Sequence, residues 1–323
     1  MKKSLAILLS TVMVLGSLTA CGGAETNHSS QSGNKDGEYK VGVLQLVEHS
    51  ALDASYKGFV AALDDSGISY SLDYQNAQGD QSACQTIAEK LVNDGNDLVL
   101  GIATQAAQAL SGCTTDIPIV GTAITDYAKS GLVEVNDAPG GNVTGTSDLT
   151  PIEKQIELLQ QIYPDTKKVG VIYCTAESNS DIQLQMTKDV CKDKGLEVVE
   201  YSVSNSNEIQ SVVESAVGKV DVLYAFTDNT IAAGMNTVSM IANENNLPVI
   251  VGEKGMVNAG GLCTYSIDYY ELGYLSGEMA VQILKGEATP AEMPIKYFPN
   301  DKCEFVGNDE TAKLLGVDFA VLD

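Results

Sequence analysis

The polar side chains able to bind or react sit in short loops, each just after an apolar run and just before a helical pattern. Glu48 and His49 follow the run at 41–47. Thr104 and Gln105 follow the run ending at Gly101, and Thr122, Thr125 and Asp126 follow the run at 117–120. Later, Glu177, Asn179 and Ser180 follow 168–173, Asp228 and Asn229 follow 220–226, and Glu253 follows 248–251. Ser147 and Asp268 stand in two connections read as hinges, 146–148 and 266–268. In open α/β sheets ligands bind beyond the carboxyl ends of strands, so these residues are the candidate ligand contacts. The first group offers hydroxyls and the N–H groups of helix starts, which suit an anion such as a carboxylate. The second group offers the acids Glu177, Asp228 and Glu253, which suit an ammonium. A zwitterionic amino acid fits that polarity. Each residue also has a plainer role open to it. Thr104, Ser180 and Asp228 are all types that cap helices, and His49 can serve as a structural hydrogen-bonding group.

Catalytic readings find little support. His28 and His49 are the only imidazoles in 323 residues, and all 19 basic residues are lysine. Without arginine there is no bidentate guanidinium clamp. There is no G-x-S-x-G elbow and no G-x-x-x-x-G-K-[ST] phosphate loop. A metal site on Glu48 and His49 lacks evident further ligands, and no cofactor is expected. The formal net charge of −24 argues against nucleic acid or an anionic membrane surface as partner, because phosphates require clustered cations.

The elements that must carry these loops alternate in type. Short apolar runs alternate with amphipathic helices, and Tyr56, Phe59, Val60 and Leu63 form one apolar helical face. Such alternation predicts parallel sheets covered by helices. Asp80 is placed to cap a helix from Gln81. Thr150, Pro151 and Glu153 read as a capping box opening a new helix, after which the strand–helix pattern restarts. The fold class is therefore α/β, with two doubly wound parallel-sheet lobes. A late strand at 261–267 and the helix after it suggest that the chain crosses back to the first lobe. A cleft between the lobes, worked by a hinge, follows from several such crossings.

The start of the chain reads as an export signal. Lys2 and Lys3 precede an apolar stretch at 5–18 that is too short for a confident span, and Leu18-Thr19-Ala20-Cys21-Gly22 resembles a lipoprotein cleavage box. Residues 1–20 are assigned as signal peptide and Cys21 as the lipidated residue. Residues 21–38 are assigned as a flexible tether that includes His28. The remaining six cysteines allow 15 disulfide pairings, and none is assigned.

Several stretches together resemble the substrate-binding lipoproteins of ABC importers of the tryptophan/tyrosine type. They are VGVLQLVEHSALDASYKGFVAAL at 41–63, DYQNAQGDQS at 73–82, GIATQAAQAL at 101–110 and PGGNVTGTSDLTPIEKQIELL at 139–159. FTDNT at 226–230, VGEKGMV at 251–257 and YSIDYYELGYLSGEMAVQILKGE at 265–287 complete the set. The resemblance implies a type I periplasmic-binding-protein fold with three crossings. Lobe 1 then takes 39–145 plus 268–298, and lobe 2 takes 146–267 plus 299–323. It implies a non-catalytic, monomeric binder on the extracytoplasmic face of the cell membrane, delivering a small-molecule ligand to an ABC permease. It further implies that the ligand carboxylate is held around Thr104 and Thr122–Thr125 and the amine by Asp228 and Glu253. An aromatic amino acid is the expected ligand, with Tyr127, Phe226 and Tyr269 as candidates for its ring floor. A sugar or nucleoside on the same fold, a receptor for a membrane sensor, and an extracytoplasmic hydrolase remain the alternatives.

Overall fold

The alternating pattern builds two six-stranded sheets in the computed structural model, which describes residues 37–322. The assigned signal peptide, Cys21 and His28 lie outside the described residues. The first sheet begins with β1 (Tyr39–Gln45), α1 (Ser50–Asp65), β2 (Tyr70–Asn76), α2 (Gln81–Asn93) and β3 (Leu98–Ile102). It continues with α3 (Thr104–Cys113), β4 (Ile119–Ile124) and β5 (Val143–Ser147). The chain then crosses to the second sheet through α4 (Ile152–Ile162), β6 (Lys168–Cys174), α5 (Ser178–Asp193), β7 (Glu197–Val203) and α6 (Ile209–Ala216). That lobe continues through β8 (Val222–Ala225), α7 (Asn229–Ala233), α8 (Met235–Glu244), β9 (Val249–Val251), α9 (Lys254–Asn258) and β10 (Cys263–Ser266). A second crossing leads to α10 (Tyr269–Leu284) and β11 (Lys296–Tyr297). A third leads to β12 (Glu304–Gly307) and α11 (Asp309–Leu315).

The strand orders correspond. The first sheet runs β11-β5-β4-β3-β1-β2 and is parallel throughout. The second runs β12-β10-β9-β8-β6-β7, parallel except that β12 is antiparallel to β10. In each sheet the first strand lies between the second and the third, so the chain winds outward both ways and opens a crevice at that point. Two lobes of the expected class, three crossings included, are thus present.

Local chemistry explains most element starts and corrects some expectations. Asp80 accepts from Ala83 N at 2.9 Å and caps α2 as its spacing predicts. The box at Thr150 does not form. Pro151 itself is the boundary residue, with φ −77° and ψ 79°, so α4 begins at Ile152 and the buried Thr150 hydroxyl finds no partner. Asp53 accepts from Gln45 Nε2 at 2.7 Å, and α1 starts without a side-chain cap. The helical stretch after β8 is two helices, α7 and α8, broken at Gly234, a residue with poor helix propensity. β4 runs on to Ile124 through an irregular register between Gly121 and Ile124, which places Thr122 within the strand instead of in a loop. All six described cysteines are free thiols.

Helix α10 returns to the first sheet and packs on α1, and side chains that follow β10, among them Ile267, Tyr269, Leu272 and Met279, join the core of the first lobe. The two helices approach at glycine. A Cβ at Gly58 would lie 2.0 Å from Tyr270 O, and one at Gly273 would lie 1.9 Å from Ser55 O. Backbone cannot yield as a flexible side chain can. Gly273→Ala is therefore expected to destabilise the fold by about 1–3 kcal/mol, the range for an overpacked core, read as a lower urea midpoint with an unchanged slope.

Candidate functional site

The carboxyl ends of the two sheets face each other, and four hydrogen bonds join the lobes there. Beyond β1, His49 Nε2 meets Asn229 Oδ1 at 3.2 Å; beyond β3, Gln105 Nε2 donates to Ala176 O at 3.1 Å. Gln108 Nε2 donates to Ser178 Oγ at 3.3 Å, and Gln183 Nε2 to Thr125 Oγ1 at 3.4 Å. A narrow cavity of about 10 Å3, room for about one water, lies among the strand ends of the closed lobes. His49, Leu52 and Tyr269 line it from the first lobe, and Thr227, Asp228, Asn229 and Glu253 from the second. Asp148, on the first crossing, completes the wall.

Three carboxylates border this space without a lysine among the lining residues. Two of them are occupied by the backbone. Asp228 accepts from Ile231 N at 2.9 Å as the cap of α7, from Cys174 N at 2.6 Å and from Ser180 Oγ at 2.7 Å. Glu253 caps α9 through Met256 N at 2.8 Å and Gly255 N. Glu177, beside them, is also saturated, accepting from the backbone and side chains of both Asn229 and Thr230 and from Asn179 Nδ2. Asp148 differs. Its Oδ2 accepts from Tyr269 OH at 3.0 Å, while Oδ1 is buried with no partner. Gln45 Oε1, His49 Nδ1, Gln105 Oε1 and Asn179 Oδ1 are further buried polar atoms without partners. Buried polar atoms are rarely left so, and these stand on loops and strand ends that meet between the lobes.

Burial sets the protonation of these groups. It pushes the Asp148 carboxyl up to about 6. Burial first and the charge of Asp148 second carry Glu253 up to about 7, against the two backbone bonds that lower it. Asp228 is raised by burial and then by Glu177. His49 is lowered by burial, which outweighs its bond to Asn229 and the nearby acids Glu177 and Asp53. A cation in the cavity would favour the ionised acids.

The first lobe supplies the complementary polarity. Helix α3 starts without a side-chain cap, and the residue before it, Ala103, is held at φ 79° and ψ 160°. A residue with a Cβ adopts such a conformation at a cost of about 1–3 kcal/mol, and such strain collects at functional sites. The result aims the free N–H groups of Thr104 and Gln105 out of the strand end. Thr104 and Gln105 are both buried.

Several expected contacts lie elsewhere. Glu48 is exposed, and Asp268 is an exposed cap that accepts from Tyr270 N and Glu271 N. Asp126 turns to Lys129 and Asn136. Thr122 accepts from Thr146 Oγ1 inside the first sheet, and Ser147 donates to Thr125 O. Of the ring-floor candidates, Tyr127 is core, its hydroxyl donating to Thr146 O, and Phe226 is buried between Tyr173 and Tyr224. Only Tyr269 reaches the cavity. Asp148 went unselected as a ligand contact, although an acid at the end of β5 carried the same signal as Asp228 and Glu253. Among the described residues no cluster of three or more metal-ligating side chains accompanies Glu48 and His49.

A profile of ABC transporter substrate binding proteins matches residues 40–320. The tyrosine-binding protein of Clostridioides difficile is 42% identical over 321 residues, covering 97% of this chain and 92% of that protein. The ABC domain of Streptococcus pneumoniae in complex with L-Trp is 40% identical with a TM-score of 0.85, covering 88% of this chain and 97% of that one. A ligand-free, open substrate-binding protein from Clostridium difficile is 43% identical with a TM-score of 0.66, covering 87% of this chain and 95% of that one. At nearly equal identity, the lobes match the L-Trp complex better than the open form, in keeping with the hydrogen bonds between them.

An acid whose folded-state pKa is raised holds its proton more tightly folded than unfolded, so it costs stability above the folded pKa and ceases to do so as pH falls toward the unfolded value. For Asp148 and Glu253 the window runs from about 4 to about 7. A rise from 3.8 to about 6 at Asp148 corresponds to roughly 3 kcal/mol. Thermal melts of ligand-free protein from pH 4 to pH 8 are expected to show Asp148→Asn gaining on wild type as pH rises, by a few kcal/mol at most. A constant difference across that range would contradict the assignment.

Proposed function

The chain belongs to the ABC transporter substrate-binding protein family, and from that premise we propose that it captures an aromatic L-amino acid between its lobes. Proteins of this family act outside the cytoplasm on small molecules carried by ABC transporters. The observation that carries the ligand class is the set of buried acids without a cation, one of which, Asp148, has a bare oxygen. An α-ammonium meets that need. Asp148 Oδ1 accepts from it, while Glu253 and Asp228 add negative potential from their capped positions. The uncapped start of α3, with Thr104 and Gln105, takes the carboxylate. Tyr269 and Leu52 offer the side chain an apolar wall. The aromatic class rests on two relatives of about 40% identity, one named for tyrosine and one solved with L-Trp.

Ligand binding shifts the lobes toward the closed arrangement by its greater affinity for that state. The closed protein, a monomer anchored through lipid on Cys21, then docks on a membrane permease. No reacting group is assigned, because the buried acids are occupied in capping or in holding the ligand, so the protein is read as a binder and not an enzyme.

Titration calorimetry on protein stripped of carried ligand tests this. L-Tyr or L-Trp should bind, and the analogue of tyrosine lacking its α-amino group should not. Asp148→Asn should weaken binding by roughly 30-fold or more, as when one partner of a buried charge pair is removed. Stabilisation by a sugar or nucleoside, with silence from all amino acids, would overturn the proposal.

A further inference from the structure

The first turns of α1 and α9 meet where the lobes close, and they meet at a residue without a side chain. A Cβ built on Gly255 lies 1.8 Å from Ser50 Oγ, across the gap between lobes. The other crowded glycines meet neighbours of their own lobe; among the described glycines, Gly255 alone meets the opposite one. Neither Gly255 nor Ser50 lines the ligand cavity. Both border the larger space on the hinge side, beside the second and third crossings, which adjoins the cavity through Glu253 and Tyr269.

We infer that Gly255 is a positioning residue that permits complete closure, and so sets ligand affinity without touching the ligand. Non-bonded heavy atoms settle at about 3.5–4.0 Å. A methyl group at 255 must therefore hold the lobes apart or force the exposed Ser50 hydroxyl out of its rotamer, and either costs the closed state. The contact lies near the hinge, so a small separation there becomes a larger one at the far strand ends. The bonds from Gln105 to Ala176 and from Gln108 to Ser178, at 3.1 and 3.3 Å, leave no slack for it. The closed state then becomes less populated, and apparent affinity falls by the same factor. The inference rests on the reading of the chain as a hinge-closing amino-acid binder.

The same Cβ would also approach the Glu253 carboxylate at 2.9 and 3.0 Å, so the test must separate closure from damage to the α9 cap. L-Tyr and L-Trp are titrated into wild type, Gly255→Ala, Ser50→Gly and the double variant, and each ligand-free protein is melted. Gly255→Ala is expected to raise Kd severalfold with the ligand-free Tm unchanged. Ser50→Gly alone should bind as wild type, and the double variant should recover most of the loss. An unchanged Kd in Gly255→Ala, or a double variant as weak as the single, would overturn the inference. If wild type bound neither amino acid, the ligand reading would fail instead. The closure contact would then be judged on ligand-free protein carrying donor and acceptor dyes on the two lobes. Its brief closed excursions should vanish in Gly255→Ala and return in the double variant, and their persistence in Gly255→Ala would refute it.

Discussion

Carboxylates taken out of water without a lysine or arginine beside them must be met by N–H groups, hydroxyls or a bound cation. That constraint organises the second lobe. Its strand ends deliver Glu177, Asp228 and Glu253 into the interlobe space, and short helices begin at once behind Asp228 and Glu253 to supply free N–H groups. Helices of five residues have little stability of their own. The caps hold α7 and α9 in place, and the helices in turn keep the acids from repelling each other apart. Asp148 comes from the crossing and not from a strand–helix turn of the second sheet, so no helix start of that lobe serves it. Its single protein partner is Tyr269 OH. The asymmetry between three satisfied acids and one half-satisfied acid gives the site a direction.

The first lobe answers with the opposite device. Where the second lobe closes the starts of α7 and α9 with acids, α1 and α3 begin uncapped. Ala103 is held in a conformation that costs energy to expose the start of α3. Cleft polarity thus arises from which helix termini are closed by side chains and which are left open. Lysine plays no part in it, and the absence of arginine from the chain is no handicap. Tyr269, which ties the first lobe to the crossing through Asp148, is placed by α10, and α10 is placed by its glycine-mediated contact with α1. The hinge, the core of the first lobe and the bare carboxylate are thus parts of one assembly.

Much of this was legible from residues alone. Continuous apolar runs and period-3.6 stripes mark most strands and long helices, because central strands are buried on both faces and helices on one. The acids at strand ends and the polarity between lobes follow from the rule that ligands sit beyond the carboxyl ends of parallel strands. The short elements β11, β12 and α9 were not legible, since two to five residues hold too little periodicity to register. The failed capping box at Thr150 has a local cause as well: Pro151 can open a helix either as its first residue or as its boundary, and packing chose the second.

What the amino-acid order determined by itself was the alternation of elements, the class of the fold and the candidate loops. These depend on chemistry within a few residues of chain. Which acid keeps a free oxygen, which ring reaches the cavity and where the lobes touch were decided only by the tertiary structure. Asp148 and Tyr269 are 121 residues apart, and Ser50 meets Gly255 across the interlobe gap. Tyr127 and Phe226 stand beyond strands much as Tyr269 does, yet both are spent on the cores of their own lobes. Hydrogen-bond satisfaction and close contact are properties of three-dimensional neighbours, and a linear pattern carries them only where those neighbours are also neighbours in sequence.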